Sequence, residues 1–340
     1  MSNLRGMPQE QRLLLRHSPV ERRRVMNRIA GKKAGYVRYA PLWKRIVKYK
    51  ALILMILPAV IFFAVFSYAP MYGVVLAFKD YSISKGIMGS EWVGLYYFNR
   101  LFASERFWQV CANTLIISCL KLFFGFFPPI IFALLLNEIR TKWFKKLTQT
   151  ASYLPYFISW IVLAGIIKEI FSANGVVNQI VTSFGGESQI WLSKKSYFRT
   201  ILVATDIWKG FGWGSIIYIS AMSSIDPQLY EAASLDGAGR FRRMFHITIP
   251  CLIPVITINL ILSMGGILNA GFDQIFNLTN SSVKSVADII DTYVYELGIQ
   301  QRDYSLSTAV GLFKSVIAMF MVLLTNFIAK KINGEDYTLW

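Results

Sequence analysis

Acidic residues, histidine and cysteine are scarce in this chain: 19 Asp and Glu, two His and three Cys among 340 residues. Each shortage closes off a kind of chemistry. Cys111, Cys119 and Cys251 lie in or at the edge of apolar segments with no disulfide or metal-ligand spacing, which predicts three small buried side chains. His17 and His246 stand far apart and lack partners at ligand spacing, so no metal is expected. No G-x-x-x-x-G-K-[ST] run occurs, and Gly210-Phe211-Gly212-Trp213-Gly214 lacks the lysine a phosphate loop needs, so this chain is not expected to hydrolyse ATP or hold a cofactor. The best acidic group, Asp288, Asp291, Glu296 and Asp303, has no His or Cys beside it and reads as a solvated loop. That weighs against the first rival reading, a membrane-embedded glycan enzyme. The second, a secondary transporter, usually carries internal repeats, and none is evident.

What is abundant is apolar surface. Hydrophobic residues make up 54% of the chain and charged ones 16%, with a mean hydropathy of +0.44. This is the composition of an all-α integral membrane protein. Crossing about 30 Å of hydrocarbon takes about 20 helical residues. Six stretches meet that need: 51–69, 110–136, 151–171, 200–221, 251–272 and 306–328. Pro58, Pro128-Pro129, Pro155 and Pro254 are expected to kink or bound them. The domain organisation is then a basic tail (1–50), a six-helix domain (51–328) containing a polar loop (222–250), and a short C-terminal tail (329–340).

The net charge of +17 would suggest nucleic acid in a soluble protein. Here the basic residues sit where topology accounts for them, and no nucleic-acid partner is expected. The tail carries Arg22-Arg23-Arg24, Lys32-Lys33, Lys44-Arg45, Lys48 and Lys50, and the 137–150 loop has Arg140, Lys142, Lys145 and Lys146 against Glu138. The positive-inside rule puts both on the cytoplasmic face, with both termini and the 222–250 loop. The tail is too long and basic for an ordinary cleaved signal, and attraction to anionic lipid headgroups is its expected role. The outer connections hold Trp92, Tyr96, Tyr97, Trp108 and Trp191, which suit an interfacial belt. They are too short to form a ligand-binding domain, so external capture falls to another protein.

Polar residues inside spans need a reason. Asp206 and Lys209 have the spacing to pair on one helix face, and Gly210, Gly212 and Gly214 allow close helix approach or a local break. A saccharide path would combine aromatic faces with amides and hydroxyls, and Tyr156, Trp160, Trp208, Lys209, Asn259 and Asn269 are of the right types. Lys121, Lys209 and Lys314, with no evident partners, would suit an acidic polysaccharide.

The 222–250 loop has the most specific pattern. Asp226-Pro227 starts a helix, because Asp caps free amides and Pro tolerates the first helical position. Ile225, Leu229, Ala232 and Ala233 follow at helical spacing. Gly237 ends that helix; Arg240, Arg242 and Arg243 open a second one that Pro250 is expected to terminate.

Glu231-Ala232-Ala233, three residues, Gly237, nine residues and Ile247-Thr248-Ile249-Pro250 together resemble the signature loop of ABC-importer permeases, with Ile249 where that family usually has Leu. Asn137-Glu138-Ile139-Arg140, Tyr153-Leu154-Pro155, Tyr230, Asp236-Gly237-Ala238, the run Asp288 to Gly298, and Ala309 to Phe313 are similar to the complex-polysaccharide branch that includes the bacterial alginate importer. The resemblance covers nearly everything after residue 50. It implies a type I ABC importer permease fold, six transmembrane helices and a cytoplasmic coupling helix in which Glu231, Ala232, Ala233, Asp236 and Gly237 meet the motor. It also implies a second permease subunit, favouring a different homologous chain. Two ABC ATPase subunits holding ATP and Mg, and an extracytoplasmic solute-binding protein, would complete the assembly. The expected function is alternating-access import of an oligo- or polysaccharide, such as alginate, across a bacterial inner membrane.

Overall fold

The computed structural model describes residues 48–333 together with Trp43. Most of the basic 1–50 tail, and residues 334–340 of the C-terminal tail, therefore lie outside the described residues. The chain divides into a first unit ending at Pro70 and a second beginning at Met71.

In the first unit, α1 (Lys50–Phe63) runs through Pro58 and passes into a π-helical turn, Ala64–Tyr68. Every side chain from Lys50 to Pro70 is exposed. A helix apolar all round buries nothing against its own chain and suits a lipid surround.

The second unit starts with a two-residue antiparallel pair, β1 (Lys79–Asp80) and β2 (Glu91–Trp92), in which Lys79 faces Trp92 and Asp80 faces Glu91. The short α2 (Gly86–Gly89) lies between them, and α3 (Tyr96–Phe102) follows. The long helix α4 (Glu105–Glu138) begins where the Ser104 side chain accepts from the Phe107 amide, and it continues through Pro128-Pro129. Next come α5 (Lys142–Phe157), α6 (Trp160–Ile170), α7 (Val176–Ser183) and the 29-residue α8 (Lys195–Ser223). The polar loop holds α9 (Pro227–Leu235) and α10 (Arg240–Arg243), and leads to α11 (Ile249–Gly265). The chain closes with α12 (Phe272–Leu278), α13 (Lys284–Ala287), α14 (Ile290–Tyr295) and α15 (Tyr304–Asn333).

Each expected span contains helix, but two depart from their expected bounds: 151–171 is broken at Ile158 and Ser159, and 251–272 is helical only as far as Gly265, with a turn and irregular chain before Phe272. Among the described residues, Lys50–Phe78, Glu105–Glu138, Arg240–Gly265 and Tyr304–Phe327 are each long and apolar enough to cross a membrane, and α5 with α6 meets that measure only as a pair bent by 102°, the shape of a broken span or a re-entrant loop. The break falls at Ile158 and Ser159, where Ser159 caps α6 by accepting from the Val162 amide. Pro155 is the one span proline at a sharp break; Pro58, Pro128-Pro129 and Pro254 lie within helices. The 29-residue α8 is long enough to be the sixth, but mid-helix Asp206, Lys209 and three glycines lower its apolar content.

Three apolar clusters tie the second unit together. Ile117 of α4, Leu163 and Ile167 of α6, Phe198 and Leu202 of α8 and Ile275 of α12 form the first. Phe107, Tyr97, Tyr293, Leu306 and Val310 form the second. The third joins Ile130 and Leu134 of α4 to Tyr218 and Met222 of α8 and Leu252 of α11. Gly212 permits close approach rather than a break: a Cβ there would lie 2.1 Å from the Ser152 carbonyl oxygen of α5. The cysteine expectation fails, since Cys119 and Cys251 are exposed and Cys111 is half-buried; a small apolar thiol is as much at home against lipid as in a core.

The acidic group is not a solvated loop. Asp288, 7% exposed, and Glu296 both bind the Arg106 guanidinium, at 2.9 and 2.8 Å, and Lys284 reaches Glu296 at 2.7 Å. Asp303 pairs with Arg100 and Asp291 with Lys314. The Arg106 guanidinium holds the Glu296 carboxyl down at about 2. Nearby, burial and the Asp80 carboxylate that accepts its O–H push the Tyr97 phenol up to about 12.

Candidate functional site

Two regions combine the features singled out in the sequence: the elbow between α8 and α11, and a cavity among α4, α8 and α11.

The elbow forms as its caps dictate. Asp226 accepts from the Gln228 amide at 2.9 Å, and Pro227 takes the first helical position. Gly237 adopts φ +75°, and the Ala238 amide returns 2.8 Å to the Ala233 carbonyl, the left-handed closure that glycine permits. Glu231, Ala232, Asp236 and Gly237 are exposed, while Ala233 is half-buried. Leu235 and Phe241 are 90% and 76% exposed, an apolar surface at the tip of the turn. On the other side, Ile225, Met244 and Ile249 pack against the third apolar cluster. The second helix does not stop at Pro250. After Arg243 it continues as a π-helical turn, Met244–Thr248, into α11, where Pro250 occupies the first turn and owes no intrahelical hydrogen bond.

The cavity, about 850 Å³, is lined by Ser118, Lys121, Phe126, Asp206, Gly210, Trp213, Tyr218, Asn259 and Asn269, among others. That volume falls within the range of small-molecule sites. Ser118 Oγ and Asn259 Nδ2 are buried and have no hydrogen-bond partner among the described residues. Buried polar atoms are nearly always paired, so two orphans lining one cavity, one on α4 and one on α11, indicate room for groups that would satisfy them.

Of the six residues expected on a saccharide path, Asn259 and Asn269 line this cavity. Tyr156, Trp160 and Lys209 gather instead at the α5–α6 break. Lys209 Nζ donates to the carbonyls of Pro155 (3.1 Å), Tyr156 (2.8 Å) and Ile158, the groups a helix leaves free where it ends. It also lies 5.6 Å from the Tyr156 ring and 5.4 Å from the Trp160 ring. Tyr156 stacks on Trp213 at 4.7 Å and 5°. Trp208 is 48% exposed and is not among the cavity residues. Trp213, five residues further on, does line the cavity, as helical spacing requires: Asp206, Gly210, Trp213 and Ile217 recur on one face, and Trp208, two residues from Asp206, falls off it.

The expected Asp206–Lys209 pair does not form. Asp206 instead pairs across helices with Lys121 at 3.1 Å. Lys121 also donates to Gln274, a fully buried amide that bonds the Leu202 carbonyl and Thr205 hydroxyl, each at 2.8 Å. Lys314 donates to Asn269 at 2.9 Å and to Asp291. Lys121, Lys209 and Lys314 are therefore all engaged, none with a partner that the sequence indicated, because an unpaired cation in this setting is costly. Gly271 lies against this network with φ +93°, and a Cβ there would be 2.8 Å from Lys121 Nζ.

Comparison with known proteins agrees with this architecture. Residues 123–334 match the family model of the binding-protein-dependent transport system inner membrane component. Protein LplB of Bacillus subtilis is 47% identical over 84% of this chain and 90% of its own length. The polygalacturonan/rhamnogalacturonan transport system permease protein YteP of the same organism is 44% identical, over 86% and 91%. A crystal structure of a bacterial ABC transporter that imports the acidic polysaccharide alginate contains a chain 40% identical to this one, with a TM-score of 0.80, over 86% of this chain and 99% of that chain. With its multi-pass helical architecture and the elbow geometry, the chain belongs to the binding-protein-dependent inner membrane components, as a permease subunit of an ABC importer that leaves ATP hydrolysis to a separate subunit.

Proposed function

We propose that this permease subunit imports a uronate-containing oligo- or polysaccharide by alternating access. It would work with a second, different permease chain, two ATPase subunits and an extracytoplasmic binding protein. The observation that carries the reading is the 40% identical chain of the alginate importer, matched over nearly its whole length; a related structure holds that importer with an alginate-pentasaccharide-bound periplasmic protein. YteP, named for polygalacturonan and rhamnogalacturonan, supports the same class of cargo. Within the cavity, Asn259, Asn269 and Ser118 suit sugar hydroxyls and Trp213 suits a pyranose face. Tyr156, Trp160 and Lys209 lie off the path, where Tyr156 stacks on Trp213 and Lys209 completes the α5–α6 break.

The elbow is the joint with the motor, with Glu231, Ala232, Ala233, Asp236 and Gly237 on or beside the docking surface. ATP binding can drive the span rearrangement only if the elbow binds the closed and open ATPase differently, since equal affinity shifts nothing. Both termini and the elbow face the cytoplasm, in keeping with the basic 137–150 loop. Reconstitution of the complete transporter tests the proposal. ATP hydrolysis should rise when the binding protein is supplied with alginate or polygalacturonate oligosaccharides, and uptake should require ATP. Stimulation by neutral oligosaccharides alone would remove the uronate assignment. Uptake without ATP would remove the importer mechanism.

A further inference from the structure

One side of the elbow is bound to the span that follows it through a bond between two hydroxyls. Tyr230 Oη of α9 and Thr248 Oγ1 lie 2.9 Å apart. Tyr230 is half-buried, and Thr248 is 4% exposed, at the end of the π-helical turn that opens into α11. A second link runs parallel to it: Arg243 donates 2.7 Å to Ser234 Oγ, whose own O–H returns 2.6 Å to the Tyr230 carbonyl. Tyr230 and Ser234 are four residues apart and share a face of α9, so one side of that helix turns toward the returning chain. Leu235, beside them, is 90% exposed. The two links differ in setting, since the Ser234–Arg243 bond is exposed and the Tyr230–Thr248 bond is part-buried. Water competes with the first much more than with the second. A π turn is also a place where a helix can change its winding, so the segment beneath Thr248 needs an external hold if displacement of α9 is to reach α11.

We infer that Tyr230 and Thr248 are positioning residues for coupling, and that their hydroxyl bond makes α9 and the start of α11 move as one body. The inference rests on the elbow being the motor joint. Without the bond, the elbow would still dock through its exposed face and its apolar seat, but part of each stroke would be taken up in the π turn.

The test uses the assembled transporter with Tyr230→Phe, Thr248→Val, Thr248→Ser and the Phe/Val double variant. The readouts are co-purification of the ATPase, ATP turnover and saccharide imported per ATP. Tyr230→Phe and Thr248→Val should keep the ATPase and its turnover while import per ATP falls severalfold. The double variant should be no worse than either single change, and Thr248→Ser, which keeps the hydroxyl, should couple as the wild type does. Unchanged import per ATP in the single variants, or additive losses in the double, would overturn the inference and leave the motor joint standing. Failure of the wild-type chain to retain the ATPase, or loss of the ATPase from Tyr230→Phe, would also overturn it; the former alone would remove the joint itself.

Discussion

Replacing Lys209 with methionine separates a lysine that faces substrate from one that completes a broken helix. The ammonium serves three carbonyls, but they do not count equally. The Pro155 oxygen keeps the Ile158 amide at 3.2 Å, and the bond to the Tyr156 oxygen is exposed, so water can replace it. The Ile158 oxygen is part-buried in its bond to Lys209 and loses that partner. Leaving such a group unsatisfied costs about 1–3 kcal/mol, and charge-assisted bonds stand at the upper end. Loss of the cation from beside Tyr156 and Trp160 adds about 0.5–1 kcal/mol. Lys209→Met should therefore destabilise the fold by about 3 kcal/mol, roughly a hundredfold in the folded-to-unfolded ratio. Denaturant unfolding in mixed detergent micelles, followed by tryptophan fluorescence, measures it. Substrate affinity of the surviving folded fraction should change little. A variant as stable as the wild type, yet deficient in uptake of acidic oligosaccharide, would show that the lysine reads cargo and that the capping argument is wrong.

Gly212→Ala should prevent α5 and α8 from seating, at about 1–3 kcal/mol or more, while Gly210→Ala, which meets nothing within 4 Å, should be tolerated; yields of folded protein compare the two. Glu296, held at about 2 by Arg106 against an ordinary 4.5, contributes stability that is fully present above about 4.5 and lost as pH falls toward 2. Allowing for solvent access to Arg106, the contribution is about 2 kcal/mol, and Glu296→Gln should flatten that acid limb of the melting curve. Asn259→Ala removes a buried amide whose nitrogen meets no partner at full hydrogen-bond geometry and lies beside the Tyr218 hydroxyl, so stability should fall by no more than about 1 kcal/mol while apparent affinity for the saccharide weakens by about 1 kcal/mol, roughly fivefold. Transport kinetics with the loaded binding protein read that change, and an unaltered KM would take Asn259 off the path.

The sequence was most legible where one local rule decides the outcome. Apolar runs of about 20 residues marked where the long helices lie, though not where the one after the elbow ends, and the Asp226-Pro227 start and Gly237 stop placed α9, because caps act within a turn of their own position. Partnerships across long sequence separations were not legible. Lys121 finds Asp206 85 residues away and Arg106 finds Glu296 190 residues away; such pairings give partners to lysines that show none in the sequence and turn an expected solvated loop into an ion-paired scaffold. The 102° break has only a weak local mark in Pro155 and Ser159, since four other span prolines pass without one. Of the side chains chosen by type, Asn259 and Asn269 line the cavity, as Trp213 does, whereas Trp208 lies off the helical face that carries Asp206, Gly210 and Trp213.

Leu235 and Phe241, held out in water at the tip of the elbow, also bear on how the protein is made. Covering a side chain of that size is worth about 1.5–3 kcal/mol, so a subunit synthesised in excess carries a sticky knob until a partner covers it. Cells producing this chain alone should show it clumped or degraded, with survival restored in proportion to the supply of whatever caps that knob.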